Sequence, residues 1–585
     1  MKCGELRINA VKRKNNMKKY IITLIALSTA ISVFAQPKKP NGGDIGTQTQ
    51  TSEKDFDVTL NETERIKGEL SLPALDTSVK AQNYNLSTRN FKVDYAPPKI
   101  RPIGMASDKK SKDDKAKNGY VKLGYGIPHS PYGEAGYAYN SKDFDAAIAL
   151  KHHSMNNKNV KFQQFNETGG KVNVGYHLNK DYAVGGHVGY NQRGIWAFGA
   201  LDSITSKTAT DGNLRTNYKL FDIGASVYNT SKNDLDLTYS AGIDLSSLRT
   251  NFASKDLNVD IKAQGTKWFA DKHPLSLALR YDANSFSYLA SASNKRETLN
   301  NIYVVPSFTF HADAFSIKAG LNLISTNDEW SPLPDIEATV RVLGDRLAIF
   351  GGWKGDIQKN TYHTLTNYNP YLLNTIQSDF SFGRRMQNTK FQDFFGGVKG
   401  HWGAVDYNVQ GGYKPTKNLA FFLQDALFDY TANLRNGRFD VIYGNADITY
   451  LKGSIGAKVG DFEIGGTVSQ NIYTMKPTLT QPAVQKPWHL PSTEINGTVA
   501  YRLLQNKLKL KSQVFFQNGV PYLKSTGVAA NLGTLVDVNV GGEYTINETF
   551  GVFLNLNNLL NQKRERWYNH PSYGLNVLGG LVARF

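Results

Sequence analysis

The sequence predicts an all-β protein: a transmembrane antiparallel β-barrel of about 22 strands with a largely irregular N-terminal segment. Three observations predict it, namely residue alternation with period two, many aromatic residues and glycines, and a low mean hydropathy. The 585 residues include 52 Gly, 31 Tyr and 30 Phe but only 20 Pro. A mean hydropathy of −0.42 is too low for membrane helices, whereas every second residue of a barrel strand faces water.

The clearest alternation lies in the last segment, residues 535–585. Val582 and Leu578 break it in the final strand, and Phe553 breaks it in the strand before. Because side chains alternate along a strand, the pattern is typical of a wall between lipid and water. The aromatic residues Tyr573 and Phe585 are expected to form an assembly signal for the barrel-assembly machinery. The apolar positions of the final strand are Tyr573, Leu575, Val577, Leu581, Ala583 and Phe585.

Residues 1–35 are expected to be a secretory signal peptide. An apolar run, Ile21 to Ala35, follows Met17-Lys18-Lys19 and is too short to span a membrane. Residues 1–16 are more basic than a leader requires, so Met17 is the expected start, with a long basic leader as the alternative. The single Cys, Cys3, lies in this part, which leaves the mature chain without disulfides.

Residues 36–117 show no sustained period and are expected to form a periplasmic, disordered segment in place of a folded domain. Pro97, Pro98 and Pro102 favour extended polyproline geometry in its second half. The barrel is expected to occupy residues 118–585.

The net charge of +18 includes seven basic residues and one acidic residue of the leader. The remaining positive charge suits contact with anionic lipid head groups, although lysines in turns also explain it. No basic helix or base-stacking motif accompanies the charge, so no nucleic-acid partner is expected.

From residue 119 onward, short Asn/Asp/Gly turns alternate with longer polar connections. Ten turns and about eleven long connections, between two ends on the periplasmic side, require about 22 strands. Residues 405–423 are expected to form one long strand that projects beyond the membrane. The main long connections are expected at residues 194–211, 285–297, 356–387, 425–438, 476–489 and 561–572.

Aromatic and arginine side chains are concentrated in two of these connections. They suit binding of a glycan or a protein, or they fold inward and narrow the pore, which is the interpretation we favour for residues 356–387. The candidate residues are Tyr362, Tyr368, Tyr371, Arg384 and Arg385 in that connection, and Arg566, Trp567 and Tyr568 in the last one.

No catalytic or metal constellation is found in the sequence. His152 and His153 are adjacent, but neighbours on a strand point to opposite faces and cannot hold one metal together. No spacing of serine, histidine and acidic residues indicates a catalytic triad. We therefore predict a protein that is not an enzyme and has no cofactor.

The run Phe553 to Gln562, followed by Arg566-Trp567-Tyr568 and the final strand, resembles the close of TonB-dependent outer-membrane receptors. More closely, the chain resembles the plug-less TonB-dependent-receptor-like barrels of Bacteroidota, because Gly119 to Gly126 and Pro131 to Glu134 are similar to their first strands. The resemblance implies an outer-membrane location, contact with outer-membrane lipid and lipopolysaccharide, and transport of a substrate that it does not identify.

The chain departs from those receptors at its N-terminal end. Residues 36–117 are fewer than a folded plug needs and lack its pattern. One hexapeptide of the segment vaguely resembles the periplasmic coupling box of the receptors, namely Asp55, Phe56, Asp57, Val58, Thr59 and Leu60.

Two functions remain open. The first is transport across the outer membrane, and the second is a non-transporting subunit or scaffold of an envelope assembly. In the second, residues 36–117 would be an arm that docks on a periplasmic or lipoprotein partner. Because an unblocked barrel of this size is a wide hole, we expect residues 36–117, or part of them, to occupy or gate it together with inward-folded loops.

Overall fold

The computed structural model describes residues 117–178, 181–199, 211–290, 293–373, 386–424, 437–476, 485–524 and 526–585. Outside this description lie the predicted signal peptide, almost all of residues 36–117 with the candidate coupling box Asp55 to Leu60, and the candidate residues Arg384 and Arg385. The predictions about them stay predictions.

Twenty-two strands form one closed antiparallel sheet, which confirms the predicted barrel. They are β1 (Gly119–Ile127), β2 (Ser130–Asn140), β3 (Phe144–Asn156), β4 (Gln164–His177), β5 (Tyr182–Trp196), β6 (Arg215–Asn229), β7 (Leu237–Thr250), β8 (Lys255–Phe269), β9 (His273–Ala290), β10 (Ser293–His311), β11 (Phe315–Thr326), β12 (Glu329–Arg341), β13 (Ala348–Gln358), β14 (Thr389–Trp402), β15 (Val405–Gln424), β16 (Phe439–Val459), β17 (Phe462–Lys476), β18 (Thr493–Leu503), β19 (Leu508–Asn518), β22 (Leu535–Thr545), β23 (Phe550–Asn557) and β26 (Asn576–Arg584).

Four further strands form two small hairpins outside the barrel wall, β20 (Pro521–Leu523) with β21 (Ala529–Asn531), and β24 (Glu565–Trp567) with β25 (His570–Pro571). The two helices of the described chain are α1 (Asp211–Leu214) and α2 (Tyr362–Tyr368). No described helix is long and apolar enough to cross a membrane.

The barrel closes where the first strand meets the last. β1 pairs with β26 from Tyr120 opposite Arg584 to Ile127 opposite Val577. The amide of Gly119 donates to the carbonyl of Phe585 at 2.9 Å, and the reverse bond has the same length. Both ends of the barrel chain therefore lie at one rim, which also carries the short turns. We call this rim the turn end and the opposite rim the loop end.

The outer face of the barrel is apolar, as the period-two pattern predicts. On β9, the alternate residues Leu275, Leu277, Leu279 and Tyr281 are all exposed. Such a face suits lipid, because the polar backbone groups are paired within the closed sheet.

The three residues that break the alternation near the C-terminus have a structural explanation. Val582, Leu578 and Phe553 are buried together with Tyr132 in one cluster beside the closing pair of strands. These side chains lie on the lumen side, opposite to exposed residues such as Leu581. The exceptions thus form a small apolar core inside the barrel at its seam.

Charged residues on the lumen side carry both signs and pair with one another. Arg280 Nε donates to Asp260 at 2.7 Å and its Nη2 donates to Asp282 at 3.2 Å. Lys318 Nζ lies 2.7 Å from Asp335. The lining therefore presents paired charges and no excess of one sign at these positions.

One predicted loop is wrong. Residues 285–297 were expected to be a long connection, but β9 runs to Ala290 and β10 starts at Ser293, with Ser285 paired to Thr298. Beyond the membrane the outer face of a strand contacts water, so serines there do not end it. By contrast, β15 runs unbroken from Val405 to Gln424, which confirms the single long strand.

Candidate functional site

The connections at the loop end meet in one packed cluster, which we call the loop cap. It consists of α2 with Leu372 and Leu373, the loop-end part of the β15–β16 hairpin, residues 485–490 and the β24–β25 hairpin. Most of its apolar side chains are buried, although they belong to connections that would be solvated if they stood apart.

The centre of the loop cap is the end of the β15–β16 hairpin. The register of the hairpin shifts between Thr416 and Leu419. Beyond this shift, Leu419 and Phe421 are buried on one face with Trp488 and Leu490. Ala420 and Phe422 are buried on the other face, in the cluster that contains Leu365 and Trp567. In a strand of the barrel wall, other parts of the protein cover only one face. Because both faces of the hairpin end are buried, this end has left the wall and lies within the cap.

Trp567 joins the last connection to this hairpin and is only 4% exposed. Its ring meets those of Phe422, Phe439 and Tyr368 edge to face, with centroids 5.3, 5.4 and 5.7 Å apart. It stacks on His489 at 5.5 Å. Edge-to-face and offset stacked pairs of this kind add to the gain from apolar burial. Trp567 is therefore the side chain on which several connections converge.

Helix α2 supplies the side of the cap beneath the hairpin. Thr361 caps the helix, since its hydroxyl oxygen accepts from the amide of Thr364 at 3.3 Å. Tyr362 stacks on Phe286 of β9 with ring centroids 4.5 Å apart. The loop-end part of β9, absent from the sequence prediction, thus provides the surface on which the helix packs.

Hydrogen bonds join the loop cap to β6 across the mouth of the barrel. Arg438, next to the start of β16, donates from Nη1 to Thr216 Oγ1 of β6 at 2.5 Å and from Nη2 to the Leu214 carbonyl at 3.2 Å. Because β6 and β16 are ten places apart in a ring of 22 strands, this contact spans the opening. The Tyr218 hydroxyl of β6 also donates to the Pro370 carbonyl at 2.8 Å.

The guanidinium of Arg438 is buried in this contact and lies over the ring of Phe252 at 5.1 Å. Burial lowers the pKa of Arg438, because the charged form loses its hydration. A guanidinium stays charged in proteins, so its hydrogen bonds and the aromatic face compensate for that loss. Removing these partners would leave an uncompensated buried charge and would therefore destabilise the loop cap.

Two histidines are fully enclosed in the loop cap. His489 Nδ1 donates to the Phe422 carbonyl at 2.7 Å, and His570 Nδ1 donates to the Tyr568 carbonyl at 3.1 Å. In both rings Nε2 is buried and has no hydrogen-bond partner in the described chain. Burial lowers the pKa of His489 to about 4 and that of His570 to about 3, and the positive charge of Arg438 adds to the effect at His570.

Lowering the pH from about 6.5 toward 4 is expected to loosen the loop cap. Because both pKa values lie below that of an unfolded histidine, the unfolded cap binds protons that the folded cap does not. The cap therefore has its full stability above about pH 6.5. As the pH falls toward the pKa values of the folded histidines, this stability decreases by on the order of 3 kcal/mol for each ring. Limited proteolysis of the purified protein between pH 7.5 and 5 measures this loss.

The matched variant for this prediction is His489→Gln, since a glutamine amide also donates to the Phe422 carbonyl but does not titrate. Cleavage of the variant should depend less on pH than cleavage of the wild type. An equal pH dependence in both proteins would contradict the assignment to this ring.

The predicted aromatic residues of both connections lie in or beside the loop cap. Tyr362 and Trp567 are buried, and burial raises the pKa of Tyr368. Tyr371 packs on His570 with ring centroids 3.8 Å apart. Tyr568 stacks on Tyr522 at 4.2 Å.

The remaining predicted residues lie apart from one another. The Arg566 guanidinium lies over Tyr368 at 5.7 Å, at the edge of the cap. Tyr573 is half-buried, with its ring 6.0 Å from that of Phe165. Phe585 is exposed at the turn end and stacks on Tyr137 at 6.4 Å.

Sequence reasoning missed Arg438, His489, His570, Phe422 and Phe439. A signal for Phe422 was available: Leu419 to Leu423 is an unbroken apolar run in a segment that otherwise alternates. Such a run indicates a strand that is buried on both faces. No comparable signal marks Arg438, because its partners lie more than two hundred residues away.

One small cavity lies in the described part of the loop cap. The cavity between α2 and the start of β16 is lined by Phe286, Tyr362, Leu365 and Phe439 among others, and it holds about one water molecule. This cavity is too small for a solute.

No protein-family model matches the chain, and no curated protein matches it. Solved structures match most of its length. The FrpB iron transporter from Neisseria meningitidis (F3-3 variant) is 12% identical with a TM-score of 0.61, over 81% of this chain and 82% of that one. The siderophore receptor PirA from Pseudomonas aeruginosa is 11% identical with a TM-score of 0.55, over 80% of each chain.

A third match is the ferripyoverdine receptor of the outer membrane of Pseudomonas aeruginosa, 12% identical with a TM-score of 0.56, over 80% of this chain and 72% of that one. At these identities the likeness establishes the fold. The 22-strand barrel, its apolar outer face and this likeness identify a β-barrel of the outer membrane.

Proposed function

We propose that this protein carries a substrate across the outer membrane and that its loop cap keeps the mouth closed until a ligand or a partner loosens it. The observation that carries the proposal is the set of hydrogen bonds from the loop cap to the β6 side of the mouth, above all from Arg438 to Thr216 and Leu214. The matched proteins are described as an iron transporter and siderophore receptors, which supports transport as the general activity.

A barrel of 22 strands needs such closure. Without it the lumen would pass small solutes freely, since its interior is wider than that of a porin. The buried residues Tyr362, Tyr368 and Trp567 fit a role in closure. Tyr371, Arg566 and Tyr568 lie nearer the edge of the cap, where aromatic and guanidinium groups would make the first contacts with a ligand.

Residues 36–117 are proposed to act from the turn end in place of a folded plug. Gly119 is hydrogen-bonded to Phe585 at that rim, so the preceding segment joins the barrel there. Its sequence lacks the pattern of a folded domain and is polar enough to lie in a hydrated lumen. In this arrangement the barrel has one closure at each end.

A scaffold role is the second candidate, and the burial of Trp567 in the cap favours it. The cavity beside α2 holds about one water molecule, so a subunit that never opens would look the same. Residues 36–117 would then dock on a periplasmic or lipoprotein partner.

Growth and co-purification separate the two functions. A transporter is expected to show a growth defect on one nutrient class when its gene is deleted, and the defect should require the energising complex of the inner membrane. A scaffold is expected to retain stoichiometric partner proteins after mild solubilisation and to show no nutrient-specific defect. The second pattern alone would overturn the transport proposal.

Replacing Asp57 and Val58 with alanine is expected to abolish energised uptake while leaving the barrel folded. A coupling box binds by adding an extended strand to a partner sheet, with its side chains giving specificity. Growth on the identified nutrient measures the effect. The control is Asp76→Ala with Val79→Ala, which changes the same residue types elsewhere in the segment. Normal growth of the Asp57/Val58 variant would remove the coupling box from the proposal.

A further inference from the structure

Three cations lie side by side on the outer face of the barrel. Lys219 of β6 is directly opposite Arg249 of β7, which is directly opposite Lys255 of β8. All three are exposed. Lys219 and Lys255 are each two residues from an exposed apolar side chain, Phe221 and Leu257. Because alternate residues share a face, the three cations point toward the lipid side.

Among the described residues, this row of cations has no acidic partner. None of the three makes a salt bridge within the part of the chain that the structure describes. The acids on these strands, such as Asp222, Asp244 and Asp256, have the opposite parity and face the lumen. Like charges directly opposite each other destabilise a sheet. A row of this kind therefore favours an external anion.

Neutral hydrogen-bonding residues lie directly beside the three cations on both sides. Gln192 lies opposite Lys219, and Thr168 lies opposite Gln192. On the other side, Ser287 lies opposite Lys255, and Arg296 beyond it is a further exposed cation of the same row. Amide and hydroxyl groups at these positions suit the hydroxyl groups of a sugar. Elsewhere on the outer face the situation differs, since Lys476 is paired with Asp447 at 2.5 Å.

The height of the row places it among the lipid head groups. The rings of Tyr182 and Tyr239 are 6.3 Å apart near the turn end, and Arg249 follows Tyr239 by ten residues on β7. At about 3.3 Å per residue and a tilt of about 40°, this distance is about 25 Å along the barrel axis, which equals the height of the apolar band. Arg249 therefore lies at the loop-end border of the membrane, facing the outer leaflet.

We propose that Lys219, Arg249 and Lys255 bind the phosphate groups of lipid A, the phosphorylated glycolipid of the outer leaflet. Gln192, Thr168 and Ser287 would hydrogen-bond its sugars, and its acyl chains would cover Phe221 and Leu257. Three adjacent strands give a site about 10 Å wide, which suits a head group larger than a single phosphate. The site depends on the outer-membrane location and is independent of transport.

The test measures lipid A binding to the full-length protein in detergent by native mass spectrometry. The variant Lys219→Gln/Arg249→Gln/Lys255→Gln is expected to bind lipid A at least about tenfold more weakly than the wild type, since each basic residue contributes to attraction by an anionic surface. The control Lys142→Gln/Lys272→Gln/Lys507→Gln removes the same charge from exposed positions at the turn end and should bind as the wild type does.

Two further measurements make the result specific. Dephosphorylated lipid A should bind the wild type as weakly as lipid A binds the triple variant. Arg249→Lys should keep the affinity because it keeps the charge, and heat-modifiable migration on gels verifies that each barrel is folded. The proposal is overturned if the triple variant binds lipid A normally, if the turn-end control loses as much, or if phosphatidylglycerol binds the row as tightly as lipid A does.

Discussion

Trp567→Ala is expected to open the mouth of the barrel and to raise its single-channel conductance in planar bilayers. The ring contacts Phe422, Phe439, Tyr368 and His489, which belong to three other connections. Truncating a buried tryptophan costs about 3–5 kcal/mol, and here the loss falls on contacts within the cap. The strands keep their own hydrogen bonds, so the barrel should remain folded while the cap separates.

The matched control is Trp402→Ala. Trp402 is 74% exposed at the turn end, so its truncation removes an aromatic residue without touching the cap. Its conductance should equal that of the wild type. The role of the cap in closure would be contradicted if Trp567→Ala opened the cap to proteases and the conductance stayed unchanged even after residues 36–117 had been deleted.

The contact of Arg438 with β6 contributes to the same closure in a different way from Trp567. Trp567 holds the cap together, whereas Arg438 attaches it to the opposite wall through Thr216 and Leu214. A cap that stayed packed but lost this attachment would swing on the β15–β16 hairpin. The two residues thus separate cohesion of the cap from its anchoring across the mouth.

The barrel wall could be predicted from the sequence because its rule is local. Side chains alternate along a strand, so the outward positions of β9 and β26 follow from a few residues each. The count of 22 strands follows from turns and long connections whose types differ in composition. The error at residues 285–297 has the same origin, since the lipid rule no longer applies once a strand projects into water.

The loop cap could not be predicted because no local rule governs it. Tyr362, Tyr368 and Trp567 could be selected as aromatic loop residues, but their shared position depends on contacts between distant connections. Arg438 and Thr216 are separated by 222 residues, and nothing in the spacing of either indicates the other. The apolar run Leu419 to Leu423 indicates burial on both faces, although it does not identify the partners.

Closure at two ends has a consequence that a single variant would miss. Two constrictions along one channel act as resistances in series, so the narrower one limits the current even when the other is removed. The proposed closures are the loop cap at one end and residues 36–117 at the other. Removing either should raise conductance modestly, and removing both should raise it far more than the sum of the two effects.

Deleting residues 36–117 behind an intact signal peptide is therefore expected to raise conductance, with the largest increase in the Trp567→Ala background. Four proteins form the experiment: the wild type, the deletion, Trp567→Ala and the combination. The deletion in the background of Trp402→Ala is the control, and it should match the deletion alone because Trp402 lies outside the cap. If residues 36–117 hang in the periplasm as a docking arm, the deletion will leave conductance unchanged in every background, and Trp567→Ala alone will reach the full value. That outcome would assign all closure to the loop cap and would favour the assembly role for the segment.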